Sequence, residues 1–294
     1  MVRILSFVFI APFIYMISIL PFWVLYLMSD IWYFIGYRLL GYRLSLVKKN
    51  IKITFPAKHE DEINAIIRRF YKNFFDLFFE TVKVLTISKN QLYNRVTLGN
   101  MQALEHYRDM EQSVIISMGH FGNWEMGAAR FELADYPRLK AVYKPLSNGF
   151  FDALMTRIRT RFGGDVYAME ETLDRMREDR GKLTAVALLA DQNPSSHNAY
   201  WHQFLGRKTP VFTGVELLAR RFNYPVIYLR VDRVKRGYYQ LNCEVLSDKP
   251  AETGKYEITH EYIRRVERDI YSRPEEWLWT HNRWKRKPED QLLE

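Results

Sequence analysis

The pattern of apolar and polar positions changes character three times along the chain. Residues 4–28, "ILSFVFIAPFIYMISILPFWVLYLM", carry no charge at all. At 1.5 Å per residue this stretch predicts a helix of about 37 Å, long enough to cross a hydrocarbon core of roughly 30 Å. A cleaved leader would have a shorter apolar region ending in small residues, and neither feature is present. Pro12 and Pro21 leave a kinked span or an embedded hairpin open as alternatives to a straight helix. Residues 34–56 then mix apolar and basic positions at helical spacing, the pattern of a helix on an anionic membrane surface or of a solvated amphipathic helix. Residues 60–88 give the clearest helix, with Glu60, Asp61 and Glu62 complementing the macrodipole in its first turn. Phe70, Phe74, Phe75, Phe78 and Phe79 recur along it at spacings that make one stripe. A stripe of this kind faces a core or, on a sharper reading, walls a groove for acyl chains.

Beyond residue 100 the period shortens and alternates. Strands are predicted at 113–117, 140–143, 185–189 and 225–231, with a hairpin around 238–245. Helices are predicted at 124–133, 151–162, 170–180, 214–222 and 257–272. Strand and helix in alternation predict an α/β fold, a mixed central sheet flanked by helices, here preceded by an N-terminal transmembrane helix. A membrane anchor over 1–30 and one domain over 31–294 follow.

Composition sharpens the orientation. The 294 residues suit one large domain, and the formal charge is +9, from 43 Lys+Arg against 34 Asp+Glu. Before the apolar stretch lies only Arg3; after it come Arg38, Arg43, Lys48 and Lys49, which places the rest of the chain on the cytoplasmic side of a single-pass anchor. The basic excess favours acidic partners: anionic lipid, nucleic acid or an acidic carrier protein. No nucleic-acid-binding motif accompanies the charge. Cys243 is the sole cysteine, so internal disulfides and multi-cysteine metal sites are excluded. Glycine-rich phosphate loops, a serine nucleophile elbow and the HExxH zinc motif are all missing. Metal and cofactor are therefore not expected.

The chemistry concentrates in "IISMGHFGNWE", residues 115–125. Five residues apart on one helix, His120 and Glu125 would diverge by about 140°. They converge if His120 lies in the loop before the helix, which Gly119 and Gly122 permit, at the end of a sheet strand where α/β folds build their sites. A neutral imidazole there can take a proton from a hydroxyl, with a carboxylate fixing its tautomer; the nucleophile is then a hydroxyl of the substrate. Asn123 and Glu125 also suit a plain helix start, an N-cap followed by an acidic first turn. His106 and Glu111 share the same spacing within a charged, glycine-free segment, which reads as a surface helix.

"GHFGNWE" resembles the His-x-x-x-x-Asp/Glu signature of glycerolipid-type acyltransferases, and specifically the lipid A biosynthesis acyltransferase family. The likeness extends through "KKNIKITFP", "YKPLSNGFFDALMTRIRTRFG", "LLADQNP", "FLGRKTPVFTGVELLARRFNYPVI" and "PEEWLWTHNRWKRKP", in family order over nearly the whole chain. The resemblance implies an enzyme that moves a fatty acyl chain from acyl carrier protein to a hydroxyl of a lipid A precursor, without a covalent intermediate, at the bacterial inner membrane. It implies His120 as general base, Glu125 as its orienter, and Arg159, Asp191 and Asn123 in substrate binding and pocket organisation. Helical spacing alone does not choose among Arg157, Arg159 and Arg161, and Lys144 stands where arginine is commoner. Another lipid acceptor, such as a lysophospholipid, ornithine lipid or glycolipid, would use the same chemistry, and a basic membrane-tethered binding protein would use none. Trp277, Trp279 and Trp284 read mainly as packing residues, with site lining as the alternative.

Overall fold

A computed structural model describes residues 10–194 and 199–286. Its elements run, in order, α1 (Ala11–Ile19), α2 (Phe22–Tyr33), a π-helical segment (Phe34–Leu39), α3 (Leu44–Thr54), α4 (Glu60–Lys83), α5 (Lys89–Arg95), β1 (Val96–Leu98), α6 (Gln102–Asp109), β2 (Val114–Met118), α7 (Trp124–Phe131), β3 (Arg138–Tyr143), α8 (Gly149–Thr160), β4 (Asp165–Ala168), α9 (Thr172–Glu178), β5 (Thr184–Leu189), β6 (Tyr200–Phe204), β7 (Arg207–Val211), α10 (Gly214–Phe222), β8 (Val226–Lys235), β9 (Tyr238–Ser247) and α11 (Glu257–Ser272). Seven strands form the central sheet in the order β1-β9-β8-β2-β5-β3-β4. All neighbours are parallel except the β8–β9 hairpin, so the sheet is mixed and flanked by helices, as the pattern predicts. β6 and β7 make a separate antiparallel pair.

The central strands are buried on both faces. β2 is buried at every position and β5 at five of six, which is why both read as continuous apolar runs rather than alternations. One apolar layer joins α4, α11 and the tryptophans near the C-terminus to one face of the sheet, and a second joins α6 and α7 to the other.

The expected membrane-crossing helix requires correction. Among the described residues no helix is long and apolar enough to cross a membrane. The apolar stretch breaks at Leu20–Pro21, where Leu20 is extended, so α1 and α2 are separate short helices. Proline has no N–H to continue the ladder and its ring clashes with the preceding turn. Residues 4–9 of the predicted span lie outside the described residues. The expected domain boundary at residue 30 falls inside α2. That helix packs along α4, and Phe22 and Leu25 are buried. Its other side is exposed and apolar: Phe13, Met16, Ile19, Trp23, Leu27, Ile31 and Trp32 on the two helices face outward, Trp23 at 71% exposure.

The junction is polar where it is deepest. Asp76, Glu80 and Lys83, at i, i+4 and i+7 on α4, are all buried. Lys83 Nζ donates to the carbonyls of Ser18 (2.8 Å), Ile19 (3.2 Å) and Leu20 (2.9 Å), capping the end of α1. Asp76 accepts from Ser29 at 2.7 Å and is neutralised by Arg233 and Arg236.

Candidate active site

β2 and β5 are adjacent and parallel, with Met118 level with Leu189. The residues just beyond their carboxyl ends therefore meet. Gly119 and His120 follow one strand, Ala190 and Asp191 the other. His120 Nδ1 stands 2.6 Å from Asp191 Oδ1, and the backbone N–H of His120 donates to Oδ2 at 2.9 Å. Trp277 Nε1–H donates to the same Oδ2 at 2.7 Å, and Trp277 is tied to the histidine loop by a backbone bridge to Phe121. Asp191 is thus a buried carboxylate with three donors on two oxygens. Burial pushes its carboxyl up, but the imidazole, the His120 amide and the Trp277 indole outweigh that and hold it at about 2. An ionised Asp191 needs Nδ1 to carry the proton, which leaves the Nε2 lone pair free to act as a base.

The structure thus places Asp191, not Glu125, on the imidazole. Glu125 occupies the first turn of α7 and is gripped by Arg159, with Nη2 2.7 Å from Oε1 and Nε 3.1 Å from Oε2. The pair is buried on the carboxylate side and half-buried at the guanidinium. Of the three arginines on and after α8, this pairing selects Arg159. Arg157 is exposed, and Arg161 donates to the carbonyl of Val84.

Asn123, an expected substrate contact, is fully buried. Its Oδ1 accepts from the Met126 amide at 2.9 Å, capping α7, and its Nδ2 donates to Glu80 at 2.8 Å. Both ends of its amide are thus engaged within the protein. Gly122 adopts φ +55°, and a Cβ there would collide with the Val231 carbonyl, so only glycine lets the loop lie against β8. His106 lies exposed on α6.

His120 borders two cavities. The larger, about 480 Å³, is walled mainly by apolar side chains including Met118, Phe131, Leu139, Ala141, Ala187 and Leu189, with Glu125 and Arg159 also on its lining. The second is a narrow cleft between α4 and the 275–278 segment, lined by Phe70, Phe74, Leu77, Tyr239 and Trp277, with Asn73, Arg233 and Glu276 among its polar groups. Trp124 packs edge-on against the imidazole, centroids 5.0 Å apart, and touches both cavities. Part of the phenylalanine stripe thus walls the cleft while Phe79 is buried in packing.

Two contributors lie beyond the sequence-based expectation. Gln192 Nε2 lies 3.2 Å from His120 Nε2, and nothing in the sequence distinguishes it from other residues of a polar turn. Trp277 reads as packing in the sequence, yet its indole donates to the Asp191 carboxylate. Trp279 and Trp284 instead donate to Pro274 and Thr209, in keeping with packing. Among the described residues no group of three or more His, Cys, Asp or Glu stands close enough together to hold a metal ion.

The model of the bacterial lipid A biosynthesis acyltransferase family matches residues 1–286. The chain belongs to this family. It is 22% identical over 257 residues to the lipid A biosynthesis lauroyltransferase of Escherichia coli (strain K12), covering 86% of this chain and 82% of that protein. It is 20% identical over 236 residues to the lipid A biosynthesis acyltransferase of Haemophilus influenzae, covering 78% and 72%. Membership supports an enzyme of acyl transfer, with a lipid A precursor as acceptor.

Proposed function

We propose that the chain transfers a fatty acyl group from an acyl carrier protein thioester to a hydroxyl of a lipid A precursor, with His120 as general base. The observation that carries this reading is the position of His120 between an apolar cavity and a second cleft, its Nδ1 held by an ionised Asp191. The donor's acyl chain lies in the apolar cavity and the acceptor approaches through the cleft beside α4. The acceptor hydroxyl displaces Gln192 from Nε2 and gives its proton to the imidazole as its oxygen attacks the thioester carbonyl. Asp191 stabilises the imidazolium that forms. Collapse of the tetrahedral intermediate breaks the carbon–sulfur bond, and the imidazolium returns the proton to the departing thiolate. An ester and a free thiol result, so atoms and charge balance with no metal and no cofactor.

Glu125 fixes Arg159 at the polar rim of the cavity, with Nη1 outside that grip and directed to the phosphate or thioester end of the donor. The basic surface complements an acidic carrier protein. The exposed apolar face of α1 and α2 seats the enzyme in the headgroup region of the bacterial inner membrane, where its lipid acceptor resides.

The test is turnover by detergent-solubilised enzyme supplied with acyl carrier protein thioester and a tetra-acylated lipid A precursor. Transfer is expected, with His120→Ala lowering kcat on the order of 10²–10⁴-fold and His106→Ala leaving it unchanged. Equal or better transfer to a lysophospholipid would move the acceptor to another lipid class. A folded His120→Ala enzyme with wild-type turnover would overturn the mechanism.

A further inference from the structure

Glu80 is fully buried in α4, between α2 and the histidine loop, and lines neither cavity. Its carboxylate accepts three hydrogen bonds from three different parts of the chain. Tyr26 Oη, on α2, donates to Oε1 at 2.9 Å. Tyr239 Oη, on β9, donates to Oε2 at 2.7 Å. Asn123 Nδ2, at the start of α7, donates to Oε2 at 2.8 Å. Burying a carboxyl group is costly unless partners meet it, and burial pushes Glu80 up from the usual carboxylate range against the Tyr239 and Asn123 hydrogen bonds. A polar group kept here has a positional use or would be better replaced by an apolar residue.

The polarity of the network fixes its direction. The Met126 amide can only donate, so the oxygen of the Asn123 amide must face it, and the NH₂ must face Glu80. Glu80 therefore meets the NH₂ in the one orientation of Asn123 that caps α7, and holds it there. That cap sets the start of the helix carrying Trp124 and Glu125, and lies three residues past His120. Through Tyr26 the same carboxylate senses whether α2 is docked.

Resting on the reading of His120 as the base, we propose that Glu80 is a positioning residue that couples docking of α2 to the catalytic loop. That helix is then part of the active site's scaffold as well as an apolar outer face.

A polarity exchange tests this. Glu80→Met removes both acceptor oxygens and leaves the Asn123 NH₂ without its partner, so the amide that caps α7 is no longer held. Asn123→Asp alone sets two carboxylates against each other. The double variant Glu80→Gln/Asn123→Asp restores a donor–acceptor pair, and the introduced carboxylate at position 123 can still accept from the Met126 amide. Each single variant is expected to lower kcat on the order of 10²-fold, with the KM for the acyl donor within about twofold, and to speed hydrogen exchange at the Met126 amide. The double variant is expected to recover both. Tyr26→Phe, which keeps the ring and removes one donor, is expected to accelerate exchange at Met126 although residue 26 lies outside the site.

Amide exchange needs no substrate. Failure of the wild type to transfer acyl groups would strike the proposed function, while wild-type exchange in Glu80→Met and Tyr26→Phe would overturn this inference alone. A double variant no better than Asn123→Asp alone would overturn it as well. Should Glu80→Met fail to fold, Tyr26→Phe and Tyr239→Phe each remove one donor from the same carboxyl group and decide the matter by the same exchange measurement.

Discussion

Replacing Asp191 by asparagine separates the structural assignment of the histidine's partner from the sequence-based one. The carboxylate meets the His120 amide and the Trp277 indole on Oδ2, and both can only donate. An asparagine must therefore turn its carbonyl oxygen toward them and its NH₂ toward His120 Nδ1. That nitrogen becomes an acceptor, the proton moves to Nε2, and the base is lost. A second loss comes from charge. Asp191, held at about 2, is charged when the imidazolium forms, and a neutral amide in its place cannot stabilise that charge. With the tautomer reversed, the expected fall in kcat is on the order of 10³–10⁴-fold, the size seen when the carboxylate of a Ser-His-Asp triad becomes an amide. The assay is acyl transfer across the pH range, paired with nitrogen chemical shifts of labelled His120 to read the tautomer. Glu125→Gln, which weakens the grip on Arg159, is expected to raise KM for the donor and leave the tautomer alone. An Asp191→Asn enzyme that keeps more than about a tenth of wild-type kcat, with Nδ1 still protonated, would refute the reasoning.

Further outcomes follow from the same geometry. Trp277→Phe removes one of three donors to Asp191 while preserving the aromatic packing, and is expected to lower kcat on the order of tenfold and raise the Asp191 pKa, read by carboxyl NMR titration. His281 is depressed to about 4 by burial and by Arg283. Its folded value lies below the unfolded 6.5, so the unfolded chain binds the proton more tightly, and stability present above pH 6.5 is lost as pH falls toward 4. Between pH 7 and 5 the loss is expected to be about 1–2 kcal/mol in denaturant titrations, and to vanish in His281→Gln. Ala141→Phe fills part of the apolar cavity and is expected to shift donor preference to shorter chains, each excluded methylene being worth about 0.8 kcal/mol in relative kcat/KM. Trp23→Ser with Leu27→Ser on the exposed face of α2 is expected to weaken sedimentation with anionic vesicles more than about tenfold, by roughly 1.5–3 kcal/mol per buried side chain. Unchanged binding would remove that face from the membrane contact.

The sheet was largely legible because its central strands are apolar throughout and its helices are amphipathic. α10 and α11 begin and end where the periodicity places them. β1 and β4, three and four residues long, are too short to show a period. The N-terminal stretch misled because hydropathy counts charge and length, whereas one proline decides whether the helix is continuous. His120 was visible through its glycines and preceding strand. Spacing points to Glu125, five residues on, as its partner, while the residue that meets it lies 71 positions away at the end of a neighbouring strand. Distance along the chain reports pairs on one helix but not pairs made by adjacent strands. Asp191 was still within reach through the family-like "LLADQNP", with pocket organisation as its role. Nothing in the sequence marked Glu80, because a carboxylate on a long amphipathic helix reads as solvated until the elements around it are placed.

The join of β2 to β5 gives the enzyme a clock for its own folding. His120 and Asp191 touch only once two strands distant in sequence have paired in one register, with Met118 level with Leu189. A slip of one residue would turn the following side chains to the opposite face. Such non-local contacts form late, because loop closure must precede any gain from pairing. Recovered turnover after dilution from denaturant should therefore lag behind helix formation by circular dichroism, and the lag would time the locking of the central sheet.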